Sequence, residues 1–185
     1  MIMTARVRKV ALTAHVTASV GWLGAVIGVL ALAIAGMASQ DEQTVRGAYL
    51  AMNLSGWYVL VPLSLASLLT GLIQSLGTTW GLVRHYWVIA KLVINVLATI
   101  VLLAYTQTLG ALSGIAAQTT WSPDDLALLG SPTVIVHASG ALVLLLAATF
   151  LAIFKPRGMT KYGQRKLHQQ RTPAQRPDEP ALAKP

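Results

Sequence analysis

The sequence contains no cysteine, which excludes disulfide bonds, thiolate metal sites and thiol catalysis. A soft metal ion would therefore have to bind through methionine or histidine. Charge is also scarce, since charged residues make up 11% of the 185 residues and only 6 residues are acidic. The sequence has no nucleotide-binding loop, no nucleophile motif and no pair of carboxylates within an apolar stretch. Hydrolase and transferase functions consequently have no candidate residues, which argues against an enzyme.

Hydrophobic residues are abundant, at 55% of the sequence, and the mean hydropathy is positive. This composition is typical of an integral membrane protein rather than of a soluble domain. The bilayer core of about 30 Å needs roughly 20 apolar residues per helix. Four stretches reach that length, at residues 10–37, 47–76, 81–105 and 132–154. We therefore predict an all-α fold in which residues 1–154 form an antiparallel bundle of four transmembrane helices.

Basic residues gather at both ends of the chain and at the link between the second and third stretches. The other two links carry acidic residues, namely Asp41, Glu42, Asp124 and Asp125. Because Lys and Arg are enriched on the cytoplasmic side of membranes, we predict that both termini are cytoplasmic. The first stretch is too long for the apolar segment of a signal peptide, which has about 7 to 15 residues. We therefore treat it as a spanning helix.

Residues 155–185 are rich in Lys, Arg, Gln and Pro. Such a segment cannot bury enough apolar surface to fold alone, so we predict a disordered cytoplasmic tail. Its basic charge favours contact with anionic lipid headgroups. No folded basic domain accompanies that charge, so we do not predict a nucleic-acid partner.

The second outer loop contains a helix signal at residues 122–130. Ser122 is a suitable N-cap, Pro123 a suitable first helical residue, and Gly130 a stop signal. We predict a short amphipathic helix here. Within the second spanning helix, Pro62 lacks an amide hydrogen and is expected to cause a bend.

Small residues form a stripe along the first spanning helix, which we expect to pack inside the bundle. Its members are Ala14, Ala18, Gly21, Ala25 and Gly28. Polar residues share one face of the second helix, at Ser64, Ser67, Gly71 and Gln74. A similar face of the third helix carries Arg84, Lys91, Asn95 and Thr99. Both polar faces are expected to point inward.

Three histidines lie in or at the edge of the apolar stretches, and intramembrane ionisable residues commonly mark functional sites. At about 1.5 Å per residue, His15 lies about 9 Å beyond Lys9, and Lys91 lies about 9 Å beyond His85. His15 and His85 therefore share the inner third of the membrane. His137 belongs to the outer third, together with Met52.

The inner pair has the chemistry of a haem b site, because imidazoles from two helices can take both axial positions. Arg84 and Lys91 would then hold an anionic group such as a haem propionate. The same histidines can instead relay protons or hydrogen-bond a neighbouring helix, and Lys91 can snorkel toward the headgroups. The competing hypothesis is a non-catalytic membrane subunit whose polar faces bind a protein partner or a second copy of the chain.

A third hypothesis concerns copper. His137 and Met52 offer imidazole and thioether groups near the outer face, and both suit that metal. Copper handling or transport would follow from such a site.

Three motifs carry a resemblance to known proteins: residues 15–24 (HVTASVGWLG), residues 84–87 (RHYW) with Lys91, and residues 155–163 (KPRGMTKYG). Together they resemble an uncharacterised family of small bacterial four-helix membrane proteins. This resemblance implies a location in the bacterial plasma membrane and no established activity. The histidine before a Trp-Leu-Gly turn also carries a looser resemblance. It is to the membrane domain of copper-resistance protein D and to di-haem membrane cytochromes.

Overall fold

The computed structural model describes residues 3–78 and 81–171. Their secondary structure is helical, apart from one isolated β-bridge between His85 and Met159. Four segments are long and apolar enough to cross a membrane. They are Ala5–Ala38, Glu42–Gly77, Tyr86–Ala116 and Pro123–Phe154, which we call the first to fourth spans. The predicted all-α fold with four spanning segments is confirmed.

The first span is a single helix, α1 (Ala5–Ala38). Its buried positions recur every three or four residues, which gives the helix one inward face. They are Ala18, Trp22, Val26, Val29, Ala33 and Gly36. The predicted small-residue stripe is only partly inward, because Ala14 and Gly28 are exposed. The larger side chains around Trp22 fill the interior, so part of the small-residue stripe lies on the outer surface of the bundle.

The second span has three parts: α2 (Glu42–Ser55), one turn of π-helix (Gly56–Leu60) and α3 (Val61–Gly77). The amide of Val61 donates to the Gly56 carbonyl, five residues back. The wide turn lies directly before Pro62, which has no amide hydrogen to donate.

Asp41 caps the N-terminus of α2. Its Oδ2 accepts hydrogen bonds from the Thr44 amide at 2.9 Å and from the Thr44 hydroxyl at 2.7 Å. These bonds stabilise the charged form, with the hydroxyl contributing most, and they lower the pKa of the Asp41 carboxyl below its ordinary value.

The third span is α4 (Tyr86–Ala116), and the fourth consists of α5 (Pro123–Leu129) and α6 (Thr133–Phe154). Ser122 and Asp125 form a reciprocal capping box at the start of α5. The predicted short helix in this loop is confirmed.

The spans pack in a ring. The first span contacts the second and the fourth, and the third span contacts the same two. The first and third spans therefore face each other across the interior. One hydrophobic core joins the four spans, with Trp22, Met52, Leu109 and Leu145 among its buried members.

The two ends of the bundle differ in charge. At one end the Met3 amide donates to the Gly77 carbonyl, and the Tyr86 amide donates to the Gly158 carbonyl. Most of the described Lys and Arg residues lie near these contacts, and we call this the basic end. At the other, acidic end, the Arg46 guanidinium donates to the Gln118 carbonyl at 2.6 Å.

The tail begins differently from the prediction. Residues 161–171 form a helix, α7 (Lys161–Arg171), which the disordered-tail prediction did not include. The remainder of the predicted tail, residues 172–185, lies outside the described residues.

Candidate functional site

The His15 side chain hydrogen-bonds directly to a neighbouring helix in the interior of the bundle. It is half-buried on α1, and its Nδ1 lies 3.1 Å from the Ser67 carbonyl and 3.1 Å from the Thr70 hydroxyl oxygen. The carbonyl can only accept, and the Thr70 hydroxyl already donates to the Ala66 carbonyl at 2.6 Å. Both groups are therefore acceptors for His15, which assigns the hydrogen to Nδ1. The lone pair is then on Nε2.

Gly71 allows the His15 ring to approach α3 closely. A Cβ atom built at Gly71 would lie 3.1 Å from Cε1 of His15 and 3.6 Å from its Nδ1. Any larger residue would press on the ring. One turn along α1, the Ser19 hydroxyl lies 2.8 Å from the Ser67 hydroxyl. These contacts fix the orientation of α1 against α3.

Lys91 lies on α4, in the first turns after the basic end. Its Nζ lies 5.8 Å from the centroid of the Trp87 ring. The carboxylates among residues 3–78 and 81–171 are Asp41, Glu42, Asp124 and Asp125, and all lie at the acidic end. Lys91 therefore has no carboxylate partner within the part of the chain that the structure describes.

Several polar atoms of α3 and α4 are buried and have no hydrogen-bond partner among the described residues. They are Nε2 of Gln74 on α3, and Oδ1 of Asn95 and Oγ1 of Thr99 on α4. Lys91, Asn95 and Thr99 are spaced by four residues and share one face of α4. A buried polar atom without a partner is costly in a membrane, so water or a ligand must contact these groups. We call His15, Gln74, Lys91, Asn95 and Thr99 the polar site.

His85 and Arg84 lie just outside the bundle, at the basic end. His85 is the N-cap residue of α4, and its ring lies 6.3 Å from the Trp87 ring. The Arg84 carbonyl accepts a hydrogen bond from the Thr160 amide at 2.9 Å. The structure does not bring His15 and His85 together. His85 lies at the basic end itself, whereas His15 bonds to Ser67 and Thr70, which precede Gly77 at that end by at least seven residues, or about 10 Å of helix.

The outer pair occupies two different environments. His137 is exposed on α6, where its Nδ1 lies 2.8 Å from the Thr133 carbonyl and its ring stacks on Tyr105 at 4.1 Å. Met52 is fully buried in the core. The described residues contain no group of three or more His, Asp or Glu side chains suited to a metal ion. The copper hypothesis thus gains no support from a clustered ligand set.

Part of this site was missed by sequence reasoning. The polar faces of the second and third spans were predicted, and Ser67, Gly71 and Gln74 do face inward. Thr70 was not identified, although it lies one residue before Gly71 and bonds directly to His15. The available signal was its spacing of three residues from Ser67, which places both on one helix face.

Comparison with protein-family models, curated proteins and solved structures finds no match for this chain.

Proposed function

We propose that the chain is a bacterial plasma-membrane protein that binds haem b in the basic half of its bundle, where His15 would hold the iron. In this proposal the spans alternate in direction and the basic end faces the cytoplasm. The supporting observation is the hydrogen bonding of His15. Metal-binding histidines typically donate one ring N–H to a carbonyl or carboxylate, which orients the other nitrogen toward the metal. The Ser67 carbonyl supplies such a partner, and Nε2 is left for iron.

His85 would be the second histidine to hold the haem in this proposal. It lies at the start of the third span, which faces the first span across the bundle. Histidines on facing helices of a bundle can bind one cofactor between them. Lys91 and Arg84 bring two positive charges to the same end, and these suit the two propionates of haem.

The chain's own residues position and isolate the group. Ser67 and Thr70 hold the ring plane of His15, and Gly71 lets that ring lie close to α3. The Trp22 core excludes water beyond the site, which strengthens the attraction between Lys91 and an anion. When bound, haem supplies one-electron transfer. The proposed role is therefore that of an electron-transfer subunit.

The test is an absorbance series on the full chain, purified in mild detergent after expression with ample haem. The wild type is expected to show a Soret band. His15→Gly should lose it, and adding imidazole should restore it, because free imidazole can occupy the vacated axial position. His85→Ala should retain haem with a spectrum of altered spin state. His137→Ala is the matched control and should match the wild type.

Two outcomes contradict the proposal. One is the absence of a Soret band from the wild type, which would favour the haem-free membrane subunit. The other is an identical haem spectrum in wild type and His15→Gly without imidazole. Thermal unfolding of each variant shows whether a lost band reflects lost ligation or lost folding. Recovery with imidazole separates the two independently.

A further inference from the structure

The segment after the fourth span is attached to the start of the third span. The Thr160 amide donates to the Arg84 carbonyl at 2.9 Å, and the Thr160 hydroxyl donates to the Val83 carbonyl at 2.7 Å. On the other side of His85, the Tyr86 amide donates to the Gly158 carbonyl at 3.4 Å. These bonds form a short two-stranded contact at the basic end and fix the point at which α7 begins.

Gly163 lets the first turn of α7 pack directly against this two-stranded contact. It is buried, and its amide donates to the Thr160 hydroxyl oxygen at 3.1 Å. A Cβ atom at this position would lie 2.5 Å from the Arg84 carbonyl oxygen and 3.3 Å from the Arg84 Cα. Backbone atoms cannot move aside cheaply, so a side chain at this position would displace the helix. The docking of α7 therefore depends on glycine.

The exposed face of α7 is basic. Lys161, Arg165 and His168 are spaced by four and three residues and line an open depression of about 530 Å³ together with Gln164 and Gln169. No acidic residue occurs in α7. Tyr162 and Leu167 are also exposed, on the two opposite flanks of this basic face.

The connection to α6 keeps α7 close to the end of the fourth span. Residues 155–160 connect it to the end of α6 and span at most about 20 Å when extended. At that end of α6, Phe150, Ile153 and Phe154 are exposed, which indicates lipid contact. A helix at this depth that combines cations with aromatic and aliphatic side chains is suited to the headgroup region.

We infer that the basic face of the docked α7 is a binding site for acidic phospholipids, with the lipid phosphate held between Lys161 and Arg165. The occupant is a lipid of the same bilayer because α7 is held close to the end of the fourth span and carries exposed apolar groups. The site is separate from the polar site and does not depend on haem.

Native mass spectrometry of the full chain with phosphatidylglycerol and phosphatidylcholine tests this inference. The double variant Lys161→Gln with Arg165→Gln is expected to bind phosphatidylglycerol about thirtyfold more weakly, since each cation near the surface contributes about 1 kcal/mol. The matched control is Arg8→Gln with Lys9→Gln. It removes the same charge from exposed residues at the same end and should bind nearly as the wild type does.

Gly163→Val separates docking from charge. It leaves every basic residue in place but displaces α7, so phosphatidylglycerol binding should weaken several-fold. The inference is overturned if Gly163→Val binds like the wild type, or if the control pair weakens binding as much as the α7 pair. It is also overturned if inorganic phosphate at equal concentration displaces phosphatidylglycerol, because the site would then select phosphate rather than lipid.

Discussion

At the scale of single residues, the importance of His15 can be predicted from the sequence, but its hydrogen-bond partners cannot. A histidine within an apolar stretch is conspicuous, so its importance is predictable from the sequence. Its partner is not, because the rotation of α1 determines which neighbour it faces. That rotation is set by the burial of Trp22, seven residues along the helix and only 2% exposed. The sequence suggested that His15 and His85 hold one haem, which stays a prediction. The hydrogen-bond partners of His15 in the structure are Ser67 and Thr70.

Gly71 offers a direct test of the His15 packing. Gly71→Leu should lower the free energy of unfolding by about 1–3 kcal/mol, as overpacking commonly does, because its side chain must enter the space of the imidazole ring. Thermal or denaturant unfolding in detergent measures this change.

The control for that substitution is Gly28→Leu. Nothing lies within 4 Å of a Cβ atom at Gly28, which is exposed on α1. Its stability should be unchanged or higher, since leucine favours helix over glycine. Equal losses for the two variants would show that Gly71 has no special contact with His15.

At the scale of elements, the second span and α7 depart from the sequence expectation for different reasons. Pro62 predicts a bend because it lacks a donor. The structure also shows a close approach of Gly56, in the π turn, to Leu109, where a Cβ atom would lie 3.2 Å from Cδ1. Such a contact between distant residues has no local signal. Similarly, α7 is too polar to predict as a folded element, and its docking depends on Thr160 and Gly163 meeting Arg84.

The attachment of α2 to α5 can be tested with one hydroxyl. The buried Tyr49 hydroxyl donates to the Leu129 carbonyl. Tyr49→Phe should therefore lower stability by about 1 kcal/mol, the usual loss for one hydrogen bond. Tyr58→Phe makes the same chemical change at a residue that is 77% exposed and should have little effect on thermal unfolding. A loss confined to Tyr58→Phe would contradict this assignment.

At the scale of the whole molecule, length and hydrophobicity predict the number of spans, because each must cover the bilayer core. The ring order of the spans required the structure, since packing between distant segments decides it. The separation of charge between the two ends is visible in the sequence and in the structure, and it supports the proposed orientation.

Topology reporters test that orientation. If the basic end is cytoplasmic, fusions of a periplasm-active phosphatase at either terminus should be inactive, and a fusion after Asp124 should be active. A fluorescent protein that folds only in the cytoplasm should give the opposite pattern. An active phosphatase at both termini would reverse the orientation and place the polar site near the outer face.

Haem binding through His15 is tested most directly by the haem-to-chain ratio of the purified wild-type protein, determined by the pyridine haemochrome method after expression with ample haem. If the polar site holds haem, about one haem per chain is expected, consistent with a single His15-centred site. A folded, monodisperse wild-type protein that contains no haem would contradict it.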